Sequence, residues 1–356
     1  MIENKKVLIL YNNLFHYRIP IFNLLAEKCD LTVGFSLGSN TNEDCKFKII
    51  QLPIIKINRF VLHKDNIYKL CENFDVVIAY GDIAWLSFST LTLYKNKSFK
   101  IIYWSPGVSA SYDKKFDTVK RWDRIRDFFY KKADALIFYT DYPIRKYLNR
   151  GFLEEKLFVA PNTVEVCKSL EVKGKTKDSI LFIGTLYMQK GILTLLENYK
   201  AAFEVNPNIL PLNIIGGGIE FEKVNNWIVE NNLDKKILLR GSIFNIVEKY
   251  FYFEKAFACI SPVQAGLSVL ESMGCGVAFV TMNNSITGGE RLNIKNGFNG
   301  VLLENTDQLK SVILDITKNS EKYAKMGKNG LEYYNNSHKP QDMANGLYSA
   351  IKFVSK

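Results

Sequence analysis

The chain has little of what several functional classes need. Only three of its 356 residues are histidine, at positions 16, 63 and 338, and they lie far apart. Its six cysteines, at 29, 45, 71, 167, 259 and 275, include no Cys-x-x-Cys pair. Zinc clusters and a disulfide framework are therefore not expected, and the thiols read as reduced groups of a cytoplasmic protein. There is no Asp-x-Asp pair to hold a divalent ion, so no metal site is expected. No run approaches the roughly 18 consecutive apolar residues of a membrane-spanning helix. The first apolar run ends at Tyr11-Asn12-Asn13 with no small-residue cleavage site, so it reads as a buried strand and not as a signal peptide. Negative charge is in deficit, with 36 Asp and Glu against 47 Lys and Arg. The net charge of +11 implies an anionic partner: nucleic acid, an acidic membrane surface or a phosphorylated substrate. No RNA-binding signature and no basic tail is present, so no nucleic-acid partner is expected.

What the chain does have is alternation. Short apolar runs at Val7–Tyr11, Leu31–Ser36, Val76–Tyr80, Lys100–Trp104 and Ala135–Tyr139 are separated by helical spacings. The pattern resumes at Ser179–Ile183, Leu212–Ile215, Ile237–Arg240, Phe257–Ile260, Val277–Thr281 and Val301–Leu303. A helix is expected around His63–Glu72, and His63 and His338 read as surface residues. The fold class expected is α/β, two Rossmann-like doubly wound parallel-sheet domains facing across a cleft. The boundaries expected are 1–163 for a first domain, 164–178 for a polar, Lys-rich linker and 179–339 for a second domain. A final helix over 340–356 is expected to pack back on the first domain. In such sheets ligands gather beyond the C-terminal strand ends. Those of the first domain carry Asn12-Asn13, Gly81-Asp82, Ser105-Pro106-Gly107 and Thr140-Asp141, which are polar or small.

The most informative stretch runs from Cys259 to Glu290. A strand leads into a small-residue elbow at Gln264-Ala265-Gly266, then a helix from Leu267 to Gly274, then a second strand. Gly266 lets a ligand approach the backbone, and the peptide N–H groups of Leu267 and Ser268 suit an anion. Glu271, about one turn on, suits the hydroxyls of a sugar. Phosphate plus ribose is the ligand these parts fit. Gln264 could offer sugar hydroxyls a neutral amide. Lys190, on a loop after a strand, is a movable charge suited to a leaving diphosphate.

The second half resembles the GT-B nucleotide-sugar glycosyltransferases of the retaining, group 1 type. The resemblance rests on landmarks in order: Ile183-Gly184-Thr185-Leu186 with Gln189-Lys190-Gly191; Leu212-Asn213-Ile214-Ile215-Gly216-Gly217-Gly218; Leu239-Arg240-Gly241-Ser242; Ser261-Pro262 through Gly266-Leu267-Ser268 to Glu271; Gly288-Gly289-Glu290; and Asn296-Gly297-Phe298-Asn299-Gly300. Phe15-His16-Tyr17-Arg18-Ile19-Pro20 is similar to the first loop of enzymes that build surface polysaccharides. The resemblance implies donor contacts from Gly184, Thr185, Lys190, Gly216, Gly241, Ser242, Gly266, Leu267, Ser268 and Glu271, with Gly241-Ser242 near the base. It implies catalytic roles for His16, Lys190, Gln264 and Glu290, and acceptor contacts from Asn13, His16, Tyr17, Arg18 and Asp82. Two family positions differ. Val263 stands where the family has the first of two glutamates, and Thr185 stands where it has a phosphate-binding arginine.

The implied function is transfer of a sugar from a nucleotide-diphosphate sugar to a glycan or lipid-linked acceptor in surface-polysaccharide synthesis, retaining and metal-independent, with no cofactor. Rivals are a GT-B relative kept for binding alone and a nucleotide-sugar epimerase of the same fold. The basic and aromatic segment 114–150 offers two readings. Its helix face of Trp122, Ile125 and Phe128/Phe129 either packs on the sheet or sits on an anionic membrane, which would place the protein at the inner face of the cytoplasmic membrane.

Overall fold

The computed structural model describes residues 5–38, 45–110, 116–118, 121–166 and 177–356. They fall into two compact units, one drawn from Met1–Ser109, Asp117–Thr163 and His338–Lys356, the other from Ala110–Phe116 and Val164–Ser337. Most of the stretch read as a linker, 167–176, lies outside the described residues.

In the first unit the parallel strands are β1 (Lys6–Asn13), β2 (Asp30–Leu37), β3 (Lys48–Gln51), β6 (Val76–Tyr80), β7 (Lys100–Ser105), β8 (Ala135–Phe138) and β9 (Leu157–Val159), after a hairpin of β4 (Ile54–Ile57) and β5 (Phe60–His63). The sheet order is β3-β2-β1-β6-β7-β8-β9. Both faces are covered, which is why β1 is apolar throughout: Val7 and Ile9 pack with Phe22 and Trp104, while Leu8 and Leu10 face Phe88 and Tyr103. The helices are α1 (Ile19–Ala26), α2 (Ile67–Cys71), α3 (Leu86–Ser89), α4 (Arg121–Tyr130) and α5 (Tyr142–Leu148). The C-terminal helix, Pro340–Val354, packs on α1, β8 and β9 and buries Met343, Leu347 and Ile351.

Three expectations are corrected here. The stretch from His63 does not begin a helix: His63 ends β5, and the helix starts at Ile67 behind an Asn66 cap. His63 is not a surface residue, since its ring stacks on Phe88 at 4.5 Å and its Nε2 meets Ser36 Oγ at 2.9 Å. His338 is buried as well, and burial lowers its pKa to about 4 against the opposing pull of Asp342 and Asp141.

The second unit holds β10 (Ser179–Ile183), β11 (Leu212–Ile215), β12 (Ile237–Leu239), β13 (Ala256–Ile260), β14 (Ala278–Met282) and β15 (Gly300–Leu303). Its helices are α6 (Ile192–Val205), α7 (Phe221–Glu230), α8 (Ile246–Lys255), α9 (Ser268–Gly274), α10 (Gln308–Lys318) and α11 (Ser320–Ser337). The order β12-β11-β10-β13-β14-β15 reverses between β10 and β13. That reversal opens a crevice at the carboxyl ends of the two strands, the usual ligand position in a doubly wound sheet. Both units are Rossmann-like, and all cysteines among the described residues are free thiols. Among the described residues no helix is long and apolar enough to cross a membrane.

Behind the crevice, α11 lies close enough to the α9–β14 turn that only glycine fits at the contact. A Cβ on Gly327 would stand 2.2 Å from the carbonyl oxygen of Gly276. Gly327→Ala is expected to destabilise the protein by about 1–3 kcal/mol through overpacking, read as a lower urea midpoint at unchanged slope.

Candidate functional site in the second unit

Three strand-end loops meet at the reversal point. Gly184 follows β10, Gly216 follows β11 and Gly241 follows β12. Their backbones bond to one another: Leu186 N–H donates to Gly217 O at 2.8 Å, and Gly216 N–H donates to Gly241 O at 2.8 Å. Gly216 has φ +155, and a Cβ there would lie 1.9 Å from the Gly184 oxygen. The glycine is thus required for the loops to close on one another, before any ligand is considered. Thr185 and Ser242 are exposed on these loops.

The loop after β10 turns back through a short 3-10 helix, Met188–Lys190, that ends on Gly191 in the left-handed conformation at φ +68. This turn carries Lys190 inward. Its side chain lies against Gly184, where a Cβ would sit 3.1 Å from Nζ. Lys190 is only 9% exposed, and burial lowers its pKa although Cys259 and Glu290 pull the other way. Cys259, near the end of β13, marks where the groups converge. Burial pushes its thiol up to about 12; Glu271 adds to that push and Lys190 opposes it. Lys190 and Glu271 thus both act on the Cys259 thiol, and Glu290 acts on Lys190.

The elbow after β13 is tied to the Lys190 loop at two points. Tyr187 donates its hydroxyl to Gln264 Oε1 at 2.6 Å. Val263 packs on Gly191, where a Cβ would come within 2.4 Å of the valine Cγ2. The valine at the first family glutamate position is thus a packing residue, and Gln264 is the polar group beside it. With its oxygen occupied by Tyr187, Gln264 keeps its amide N–H groups as donors. Ala265 N–H donates to Ile286 O at 2.8 Å and Ile286 N–H to Val263 O at 2.7 Å, which locks the elbow to the segment after β14.

Beyond the elbow the space is open. Nothing lies within 4 Å of a Cβ placed on Gly266. Among the described residues the N–H groups of Gly266, Leu267 and Ser268 make no backbone hydrogen bond. The Ser268 hydroxyl is buried and has no partner among the described residues. Such donors need an acceptor. Glu271 is held by Lys249 of α8, whose Nζ meets Oε1 at 2.6 Å. Lys249 and Tyr250 line a small depression with Glu271, Phe253 and Cys275. The carboxylate is thus held in place, with its second oxygen still able to accept from a sugar hydroxyl. Glu290 is buried in its own turn, where Oε2 accepts from Gly288 N–H at 2.9 Å and from Thr287 Oγ1 at 3.1 Å.

Sequence reasoning missed Tyr187, Lys249 and Thr287. Lys249 had a signal: it sits on the helix face of Ile246 and Phe253, where a cation is out of place unless paired. The hydroxyl partners had none, because they depend on how the loops fold back.

The residues singled out in the first unit have other settings. His16 is exposed on a 3-10 turn, edge-on to Tyr17 at 5.6 Å. Asn13 Oδ1 lies next to Gly38, and Asp82 accepts from Ala84 N–H at 2.9 Å in a local turn. Arg18 does not face an acceptor phosphate. It is 2% exposed, donates to Asn162 Oδ1 at 2.6 Å and Met343 Sδ at 3.0 Å, and lies over the rings of Tyr17 and Trp104. It ties the first loop to the C-terminal helix.

Residues 168–333 match the family described as glycosyl transferases group 1. An uncharacterized glycosyltransferase of Methanocaldococcus jannaschii is 29% identical over 158 residues, 43% of this chain and 42% of that protein. The poly(glycerol-phosphate) alpha-glucosyltransferase of Bacillus subtilis is 23% identical over 228 residues, 62% of this chain and 33% of that one. The matches span less than half the length of these two relatives. Among solved structures, Anabaena HepE in complex with UDP has a TM-score of 0.71 at 12% identity, covering 98% of this chain and 99% of that one. A likeness at that identity speaks for the fold.

Lys190 yields a test that needs no substrate. Its folded pKa lies below the usual lysine value of 10.5, so the unfolded chain binds the proton more tightly. Stability is therefore full above the unfolded value and falls as pH drops toward the folded one. Lys190→Met keeps the stem and removes the charge. It is expected to be more stable than the parent at neutral pH and to lose the rise in stability that the parent shows toward alkaline pH, measured by urea titration across pH.

The match to glycosyl transferases group 1 thus falls on residues 168–333, the part of the chain that holds Lys190, Gln264, Gly266, Glu271 and Glu290.

Proposed function

We propose that the protein moves a sugar from a nucleoside-diphosphate sugar to a glycan or lipid-linked acceptor, in the building of a surface polysaccharide such as capsule, O-antigen or lipopolysaccharide, in the cytoplasm. The observation that carries this reading is the pairing of a buried ammonium, Lys190, with the open elbow at Gly266 and a clamped carboxylate at Glu271. The ammonium and the peptide N–H groups of Gly266, Leu267 and Ser268 suit a diphosphate, and Glu271 suits a ribose. Gly241 and Ser242 stand at the next strand end, in a position suited to a base.

Transfer breaks the bond between the anomeric carbon and the donor phosphate oxygen and forms one to an acceptor hydroxyl. The barrier is lowered where negative charge builds on the departing phosphate. Lys190 meets that charge in a site of low polarity, so the reading is metal-independent. Gln264, oriented by Tyr187, offers N–H groups to the sugar's hydroxyls, and Thr185 an additional donor to the phosphates. Glu290 orders the turn beside Lys190. His16 is the group for the acceptor hydroxyl, with Asn13, Tyr17 and Asp82 as further acceptor contacts. Retention of configuration is part of this proposal. A polyanionic acceptor fits the +11 charge, and the Bacillus relative's name specifies such a polymer.

The valine at position 263 favours one second reading, a binding protein without turnover. One set of measurements separates the two. A thermal-shift screen with UDP, GDP and their sugars should raise the melting point with one nucleotide, by about 2.7 kcal/mol of stabilisation at a hundredfold excess over Kd. Glu271→Ala should abolish that shift, and an unchanged shift would remove Glu271 from the site. Release of free nucleotide from the matching sugar donor, undiminished in EDTA, marks the metal-independent enzyme. Binding with no release marks the second reading.

A further inference from the structure

Helix α4 is mounted with its polar side inward. Asp123 and Arg126 are buried and joined at 2.9 Å, and Arg150 of the next helical segment reaches Asp127 at 3.0 Å and Asp123 at 3.9 Å. Ser109 Oγ adds a hydrogen bond to Asp123 at 3.1 Å. This network fixes the helix rotation, because turning it would strand buried charges. Of the two readings of the aromatic face, packing against the core holds for Phe129 and not for the rest of the face. Trp122, Ile125 and Phe128 point outward and are 37%, 42% and 52% exposed.

The hairpin of β4 and β5 extends that face. Ile55 and Ile57 share one side of β4 and are 48% and 54% exposed. Ile57 pairs with Phe60, whose ring lies 6.3 Å from that of Trp122. Arg59 covers Trp122 at 3.7 Å from the ring centroid. A single apolar row thus runs Ile55, Ile57, Phe60, Trp122, Ile125, Phe128. Exposed Arg59 of the hairpin turn and Arg121, Arg124, Lys131 and Lys132 in and just after α4 add the cations. Lys132 lies over Phe128 at 5.1 Å. Asp127, the third member of the ion network on α4, is paired with Arg150.

We infer that this row is a docking face for the surface of an anionic phospholipid bilayer. Its apolar side chains enter the interface and its cations meet lipid phosphates. The charge selects this occupant, since a second copy would bring the same cations against these. The face would hold the transferase beside a lipid-linked acceptor, but its binding to lipid does not depend on that activity.

The test is co-sedimentation of the full chain with vesicles of phosphatidylcholine alone and with phosphatidylglycerol added. The chain should pellet with the anionic vesicles and be released by high salt. Ile125→Ser/Phe128→Ser and Lys131→Glu/Lys132→Glu each alter exposed positions outside the ion network, and each should cut partition by about tenfold or more. Their thermal shift with nucleotide and their transfer to a soluble acceptor should stay unchanged, which separates this inference from the transferase reading. Equal pelleting of parent and variants would overturn it. So would binding to neutral vesicles alone, or a dimer of the parent that both variants abolish.

Discussion

The second unit depends on keeping the Lys190 ammonium buried. Desolvating it costs stability, and the fold offsets that cost only in part through Cys259 and Glu290. The position is set by backbone constraints: the left-handed Gly191 turns the chain, Gly184 leaves room for the stem, and Val263 closes over Gly191. A charge held this way is already stripped of water and needs no rearrangement when a second charge of opposite sign arrives. That is the physical meaning of a preorganised site.

The other parts of the site serve the same end. The Tyr187–Gln264 bond joins the lysine loop to the elbow, so the cation and the open peptide N–H groups keep a fixed relation. Lys249 holds Glu271 in place without consuming both of its oxygens. Two lysines are thus used differently: one is paired and orients a carboxylate, the other is left to meet a ligand. The departure from the family at Val263 follows the same logic. Its carboxylate is missing, and an amide fixed by a tyrosine stands next to it.

Much of the fold could be read in advance, because both sheets are covered on both faces. Val7–Tyr11 and Ser179–Ile183 could only be buried parallel strands, and the structure extends or keeps each of them. The elbow at Gln264–Gly266 was legible from its small residues. What escaped depends on tertiary context. Arg18 and His63 are polar residues whose partners, Asn162, Met343 and Ser36, lie far off in sequence. The Ile54–His63 hairpin is too short and too apolar to be told from a helical run by periodicity. The rotation of α4 stayed open in the sequence because its aromatic stripe gives no sign of the two acids and the arginine that the fold pairs internally.

The account is decided by calorimetric titration of the nucleoside diphosphate that binds, and of its parent nucleoside, into the protein and into Lys190→Met. If the diphosphate rests on Lys190, the variant loses about tenfold or more in affinity for the diphosphate and keeps its affinity for the nucleoside. Equal affinity of both proteins for the diphosphate would contradict it.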